Sequence, residues 1–203
     1  ASMRELGSLQ EQRCLALSKT GNHEEAIGAL MELIARSGDS AERQGLIGGR
    51  YKKLASKARE SGDATAYANY IDQAICHYEQ GMLLDLNNYY PSSNLPRLYR
   101  ERGDEGDAER AGVAAQVAMM ACLRARARNA QDEWLNPTLL GLAFDAGDVA
   151  AAKRCVKLVR RDGPAAWKLE TTLDDLDRSV AQATNAATQQ ALAAMVEELK
   201  ALL

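Results

Sequence analysis

The sequence predicts an all-α protein, a right-handed α-solenoid of about four helical hairpins closed by C-terminal capping helices. Three observations carry that expectation. Gly21-Asn22-x-x-x-Ala26, Gly103-Asp104-x-x-x-Ala108 and Gly147-Asp148-x-x-x-Ala152 share one spelling. In each, a Gly can end one helix in the left-handed conformation and an Asn or Asp can cap the next. The Ala that follows is small enough for two helices to approach closely. Apolar residues on both sides of these motifs recur at steps of three and four, the spacing of one helix face. The composition agrees: 46% of the 203 residues are apolar, but there are only one Phe and two Trp against seven Tyr. Abundant Ala with few large rings suits helices that pack tightly.

Aligned on the small residue of each second helix, Ala26, Ala74, Ala108 and Ala152 lie 48, 34 and 44 residues apart. The middle value is the tetratricopeptide period, and the outer two imply insertions of about 14 and 10 residues. The remaining repeat positions fall on Cys14, Leu17, Leu30 and Leu33, then on Gly48, Tyr51, Tyr78 and Gly81. Next come Leu95, Tyr99 and Ala115, and last Leu139, Ala143, Val156 and Val159, with Pro164 where a repeat ends.

The second hairpin has two long helices between Arg50 and Leu86, meeting near Ser61-Gly62-Asp63. Its Asn, Pro and Ser content makes Asp85 to Asn94 a loop. An Ala-rich helix follows from about Glu105 to Asn129, and Trp134 and Pro137 open the fourth hairpin. Beyond Gly163-Pro164, Leu173, Leu176, Val180, Ala183 and Ala187 step by three and four. Leu192, Met195, Val196, Leu199 and Leu202 continue that stripe as one helix or two, with Asn185 as the break. The expected division is residues 1–168 for the repeats and 169–203 for the capping helices. A terminal repeat must cover an apolar face; the same stripe can instead serve a helical partner or a homodimer.

Charge excludes several classes. Twenty-five basic residues against 28 acidic give a net charge of −3, with no pull toward nucleic acid or an anionic membrane. The arginines from Arg97 to Arg128 alternate with acids, unlike the one-signed stripe of a nucleic-acid site. Cys14, Cys76, Cys122 and Cys155 are 62, 46 and 33 residues apart, so no pair has metal-ligand spacing. They read as buried free thiols. With no run of 18 apolar residues and no signal-peptide pattern, the expected location is cytoplasmic. Ala1-Ser2 ahead of Met3 reads as an appended dipeptide.

No phosphate-binding glycine loop, zinc-protease motif or paired metal motif occurs. His23, beside Glu24 and Glu25, reads as exposed; His77 sits between Cys76 and Tyr78 near a packing face, and neither has a recognisable nucleophile partner. The expectation is no enzyme and no cofactor.

Candidate binding residues are Arg50, Lys53, Tyr90 and Asn94. Gly48 and Gly49 would let a ligand approach the cations of Arg50-Tyr51-Lys52-Lys53, where Arg50 and Lys53 can hold a phosphate or carboxylate. Alternatively, Gly48 is a close helix contact and the cations are solvated. Tyr90 can stack on a base or a peptide ring, and Asn94 either reads a ligand or caps a helix. A second basic face, Lys153, Arg154, Lys157, Arg160 and Arg161, is read as paired with the acidic tail around Asp174, Asp175 and Asp177, or as an acidic-peptide site.

One stretch is more specific. Leu46-Ile47-Gly48-Gly49-Arg50-Tyr51-Lys52-Lys53, then Ile71 to Glu79, then Asn88-Tyr89-Tyr90-Pro91-Ser92-Ser93-Asn94 resemble the TRAF-binding, or central regulatory, region of the apoptosis signal-regulating kinases and its bacterial relatives. Ser92-Ser93 stand where that family has Gly-Ile. The resemblance implies a regulatory scaffold in stress or defence signalling, and nucleotide sensing in the bacterial relatives. The leading expectation is therefore a non-catalytic adaptor for a protein or peptide partner. The alternative is a sensor holding a nucleotide-like anion around Arg50 and Asn94.

Overall fold

The computed structural model describes residues 21–128 and 132–203, and Cys14 and Leu17 fall outside them. Its helices are α1 (His23–Ser37), α2 (Ala41–Glu60), α3 (Ala64–Leu84), α4 (Tyr89–Arg102), α5 (Asp107–Ala127), α6 (Leu135–Asp145), α7 (Val149–Asp162), α8 (Ala166–Gln182) and α9 (Ala186–Lys200). No strand occurs among the described residues.

Side chains that satisfy orphan backbone N–H groups set several helix starts. Ser40 accepts from the Arg43 N–H, Asp63 from Ala66, Asn88 from Tyr90, Asp148 from Ala151 and Asn185 from Thr188. Of the three repeated Gly-Asn/Asp turns, only the third caps as expected. Asn22 makes no side-chain cap bond. In the middle turn the helix begins later, at Asp107, and the Asp107 carboxylate reaches back to the Asp104 N–H at 3.1 Å. The packing register moves with it: Ala108 is exposed, while Ala111, Ala114 and Ala118 are buried.

Asp85 to Asn94 is a loop only as far as Asn88. From Tyr89 it is helical, because Pro91 falls in the first turn, where a missing N–H costs nothing. Asn94 therefore lies inside α4, with Asn88 as its cap.

Helices α2–α3, α4–α5, α6–α7 and α8–α9 pair as successive antiparallel hairpins, and α1 packs on α2. The first helices form an inner row: α2 meets α4, α4 meets α6 and α6 meets α8. The row curls so tightly that α8 also touches α4. This is the tetratricopeptide-like helical solenoid that the repeats predict.

The core comes in separate clusters. Ile27, Leu30, Leu46 and Ile47 join α1 to α2, and Tyr78, Leu95 and Leu98 lie in the cluster shared by α2 to α5. Leu140, Phe144, Val156, Leu173, Leu176, Leu192 and Leu199 form the C-terminal one. The stripe of α9 is thus turned inward against α6, α7 and α8.

Two other expectations change. Cys122 is buried, but Cys76 is exposed and Cys155 half-buried. His23 is buried, at 7% exposure.

Candidate functional site

The curled inner row encloses a polar centre. Lys52 on α2 donates to Asn94 Oδ1 on α4 at 2.8 Å and to both Asp175 oxygens on α8 at 3.1 Å. Arg97 on α4 reaches Asp175 Oδ1 from Nη2 at 2.9 Å. The Lys52 side chain is 13% exposed, that of Arg97 3% and that of Asp175 28%. Burial works against the Asp175 carboxylate, but Arg97 and Lys52 outweigh it and hold it at about 2. Burial also draws the Lys52 ammonium down to about 8, against the pull of Asp175. Both groups are therefore ionised at neutral pH.

Next to this centre lies a cavity of about 810 Å³ between α2, α4 and α8, lined by both signs of charge: Lys53, Lys57, Arg59, Arg100 and Arg178 beside Glu60, Glu101, Asp174 and Asp177. Glu101 accepts from the Tyr67 hydroxyl and lies 3.5 Å from Arg59, while its buried Oε2 has no hydrogen-bond partner. Arg178 donates to the Ser56 hydroxyl, so it too bridges α8 to α2. Deeper, Asp145 accepts from Ser179 at 2.7 Å, and burial raises its pKa.

The four sequence candidates separate. Lys53 lines the cavity and lies 3.5 Å from Asp174. Asn94 joins the polar centre, but its cationic neighbour is Lys52. Arg50 folds back along its own helix, with Nε donating to the Leu46 carbonyl at 3.3 Å. Tyr90 is half-buried against the core: its hydroxyl donates to the Gly45 carbonyl at 3.0 Å and its ring meets Tyr78 edge-on.

Sequence reading named Asp175 only as part of an acidic tail facing the basic helix α7. In the structure Asp174 and Asp175 face α2 and α4, and α7 is tied to α9 instead, through Arg160 and Glu198. In the sequence Arg97 is one of a mixed-charge series, and its place beside the apolar Leu95 and Leu98 is the available signal of burial.

No activated nucleophile is seen among the described residues. Burial pushes the Cys122 thiol up to about 12 and raises that of Cys155. His77 is stacked on Tyr51, bonded to Gln44 at 2.6 Å, and has its pKa lowered by burial. No cluster of His, Cys, Asp or Glu among those residues could hold a metal ion. Nor is any described helix long and apolar enough to cross a membrane.

A family model described as Tetratricopeptide Repeats-Sensor matches residues 2–99. That stretch holds Lys52, Lys53, Asn94 and Arg97, and ends before α8. No curated protein and no solved structure matches the chain. The match supports a tetratricopeptide-like protein, a kind of repeat that is generally non-catalytic and mediates interactions. The kinase likeness has no counterpart in these comparisons.

Proposed function

We propose that this chain is a non-catalytic helical-repeat sensor domain that binds a small, nucleotide-like anion in the cavity between α2, α4 and α8. The observation that carries this reading is the closure of the inner face. Tetratricopeptide-type solenoids present an extended concave surface, but here α8 crosses to α2 and narrows that surface to a short, charged cleft that stays open on one side. Lys53, Lys57, Arg59, Arg100 and Arg178 supply donors for phosphate oxygens. Glu101 Oε2, which has no hydrogen bond and only a 3.9 Å ion pair with Arg178, suits a ligand hydroxyl or amine. The sensor description of the matching family points the same way. A place in stress or defence signalling belongs to this proposal, as does the cytoplasm.

Calorimetric titration of the chain with ADP and with NAD tests the reading. Binding that weakens at least tenfold in Lys53→Ala/Lys57→Ala supports it. Binding that is indifferent to both lysines places the ligand elsewhere.

A second reading, a scaffold for a protein or peptide partner, draws on Leu83, Leu84 and Leu86, which stay exposed where α3 turns into α4. Its test is partner capture that is lost in Leu83→Ser/Leu86→Ser while the ligand titration is unchanged.

A further inference from the structure

We propose that Lys52, Asn94 and Arg97 form a phosphate-binding position which Asp175 fills from within, so that a phosphate-bearing ligand enters by displacing Asp175 and loosening α8. The inference rests on the cavity reading above and gives that cavity a mechanism.

Three features meet here. The cations belong to the scaffold helices α2 and α4 and are buried, whereas the anion arrives on α8 and is the most exposed of the three. The fit is also incomplete. Asp175 lies 2.9 Å from Arg97 Nη2, and the buried Arg97 Nε has no hydrogen-bond partner. Guanidinium is a planar fork that two oxygens can satisfy together. A tetrahedral phosphate offers one oxygen to Nε, another to Nη2 and a third to Lys52, which one carboxylate held at this angle does not. An unpaired donor inside a protein is costly, and a ligand that satisfies it gains that difference over Asp175.

The second feature concerns what α8 gives up on leaving. Its buried apolar residues Leu169, Leu173 and Leu176 belong to the C-terminal cluster with α6, α7 and α9. Its ties to α2 are polar: Lys52 and Lys53 to the adjacent aspartates, and Arg178 to Ser56. The C-terminal hairpins can therefore swing from α2 as a body without exposing their core. Third, the cavity gives a route in. Lys53 and Arg178 flank it and lie beside the Asp174–Asp175 turn of α8.

Pyrophosphate is the probe, titrated at constant ionic strength into the complete 203-residue chain. Asp175→Asn should bind it about tenfold more tightly than the parent or better. Arg97→Lys added to that variant should abolish the gain, and Glu198→Gln, at a distant surface pair, should leave affinity unchanged. Equal or weaker binding in Asp175→Asn overturns the proposal. Should that variant not fold cooperatively, hydrogen exchange on the parent decides. Saturating pyrophosphate should speed exchange across α8, and unchanged or slower exchange there overturns the proposal. The two readings fail separately. ADP or NAD binding without any Asp175→Asn effect leaves the sensor and removes the displacement; a pyrophosphate gain with silent nucleotides does the reverse.

Discussion

Arg97 on α4 and Asp175 on α8 are joined at 2.9 Å although they belong to hairpins separated by a third. Only a strongly curled inner row brings them together. The buried charges thus report the curvature of the solenoid, and Lys52 extends the same link back to α2.

Asp175→Asn should lower stability by about 2 kcal/mol at neutral pH. Breaking a buried pair costs about 3–5 kcal/mol, and partial exposure of Asp175 reduces that. The loss depends on pH in a defined direction. The folded carboxylate is held at about 2, below its ordinary value of about 4, so its stabilisation is complete above that ordinary value. It disappears as pH falls toward 2. Urea unfolding of parent and variant should show a gap that is widest near pH 6 and closes between about pH 4 and 2.

Glycines in two helices should respond oppositely to Ala. A Cβ at Gly45 would lie 2.6 Å from the Tyr90 ring, whose hydroxyl is bonded to the Gly45 carbonyl. Gly45→Ala should destabilise the chain by about 1–2 kcal/mol, overpacking outweighing helix propensity. At Gly112 nothing lies within 4 Å, and Gly112→Ala should stabilise by up to about 1 kcal/mol. Paired denaturation curves check both signs.

The last hairpin is proposed as the cap of the solenoid. Leu192 is fully buried against α7 and α8 neighbours, so Leu192→Ala should cost about 2–5 kcal/mol. Removing residues 186–203 should expose Phe144, Val156 and Leu176 and cause aggregation. An unchanged mass with unchanged stability would show that α9 caps nothing.

Asn88→Ala should cost about 1 kcal/mol, because the Asn88 side-chain Oδ1 accepts from the Tyr90 N–H at the start of α4. Loss of helicity in α4, followed by amide exchange, is the local readout.

The helical solenoid was legible because its signals are local. Steps of three and four, the Asp63 and Asp148 caps and the Gly163-Pro164 stop each lie within one turn of what they control. The segment from Tyr89 was misread because Pro91 looks like a breaker unless the helix start is known. The candidate site was only half legible, for a geometric reason. Successive helix residues point about 100° apart, so a one-residue error in facing exchanges Lys53, at the cavity, for Lys52, at the polar centre. Tyr90 has a polar tip suited to a ligand, but Gly45 leaves its ring a slot against the core. Nothing local links Arg97 to Asp175, since their meeting depends on angles accumulated over two hairpins.

The central claim is that the cavity holds a nucleotide-like anion. The most direct measurement is a thermal-shift screen of the chain against nucleotides, dinucleotides and ADP-ribose-type fragments, with Lys53→Ala/Arg100→Ala alongside. A ligand at 100 times its dissociation constant adds about 2.7 kcal/mol. The account predicts a stabilising hit that the double variant loses. A flat screen, or a shift of equal size in the double variant, would contradict it.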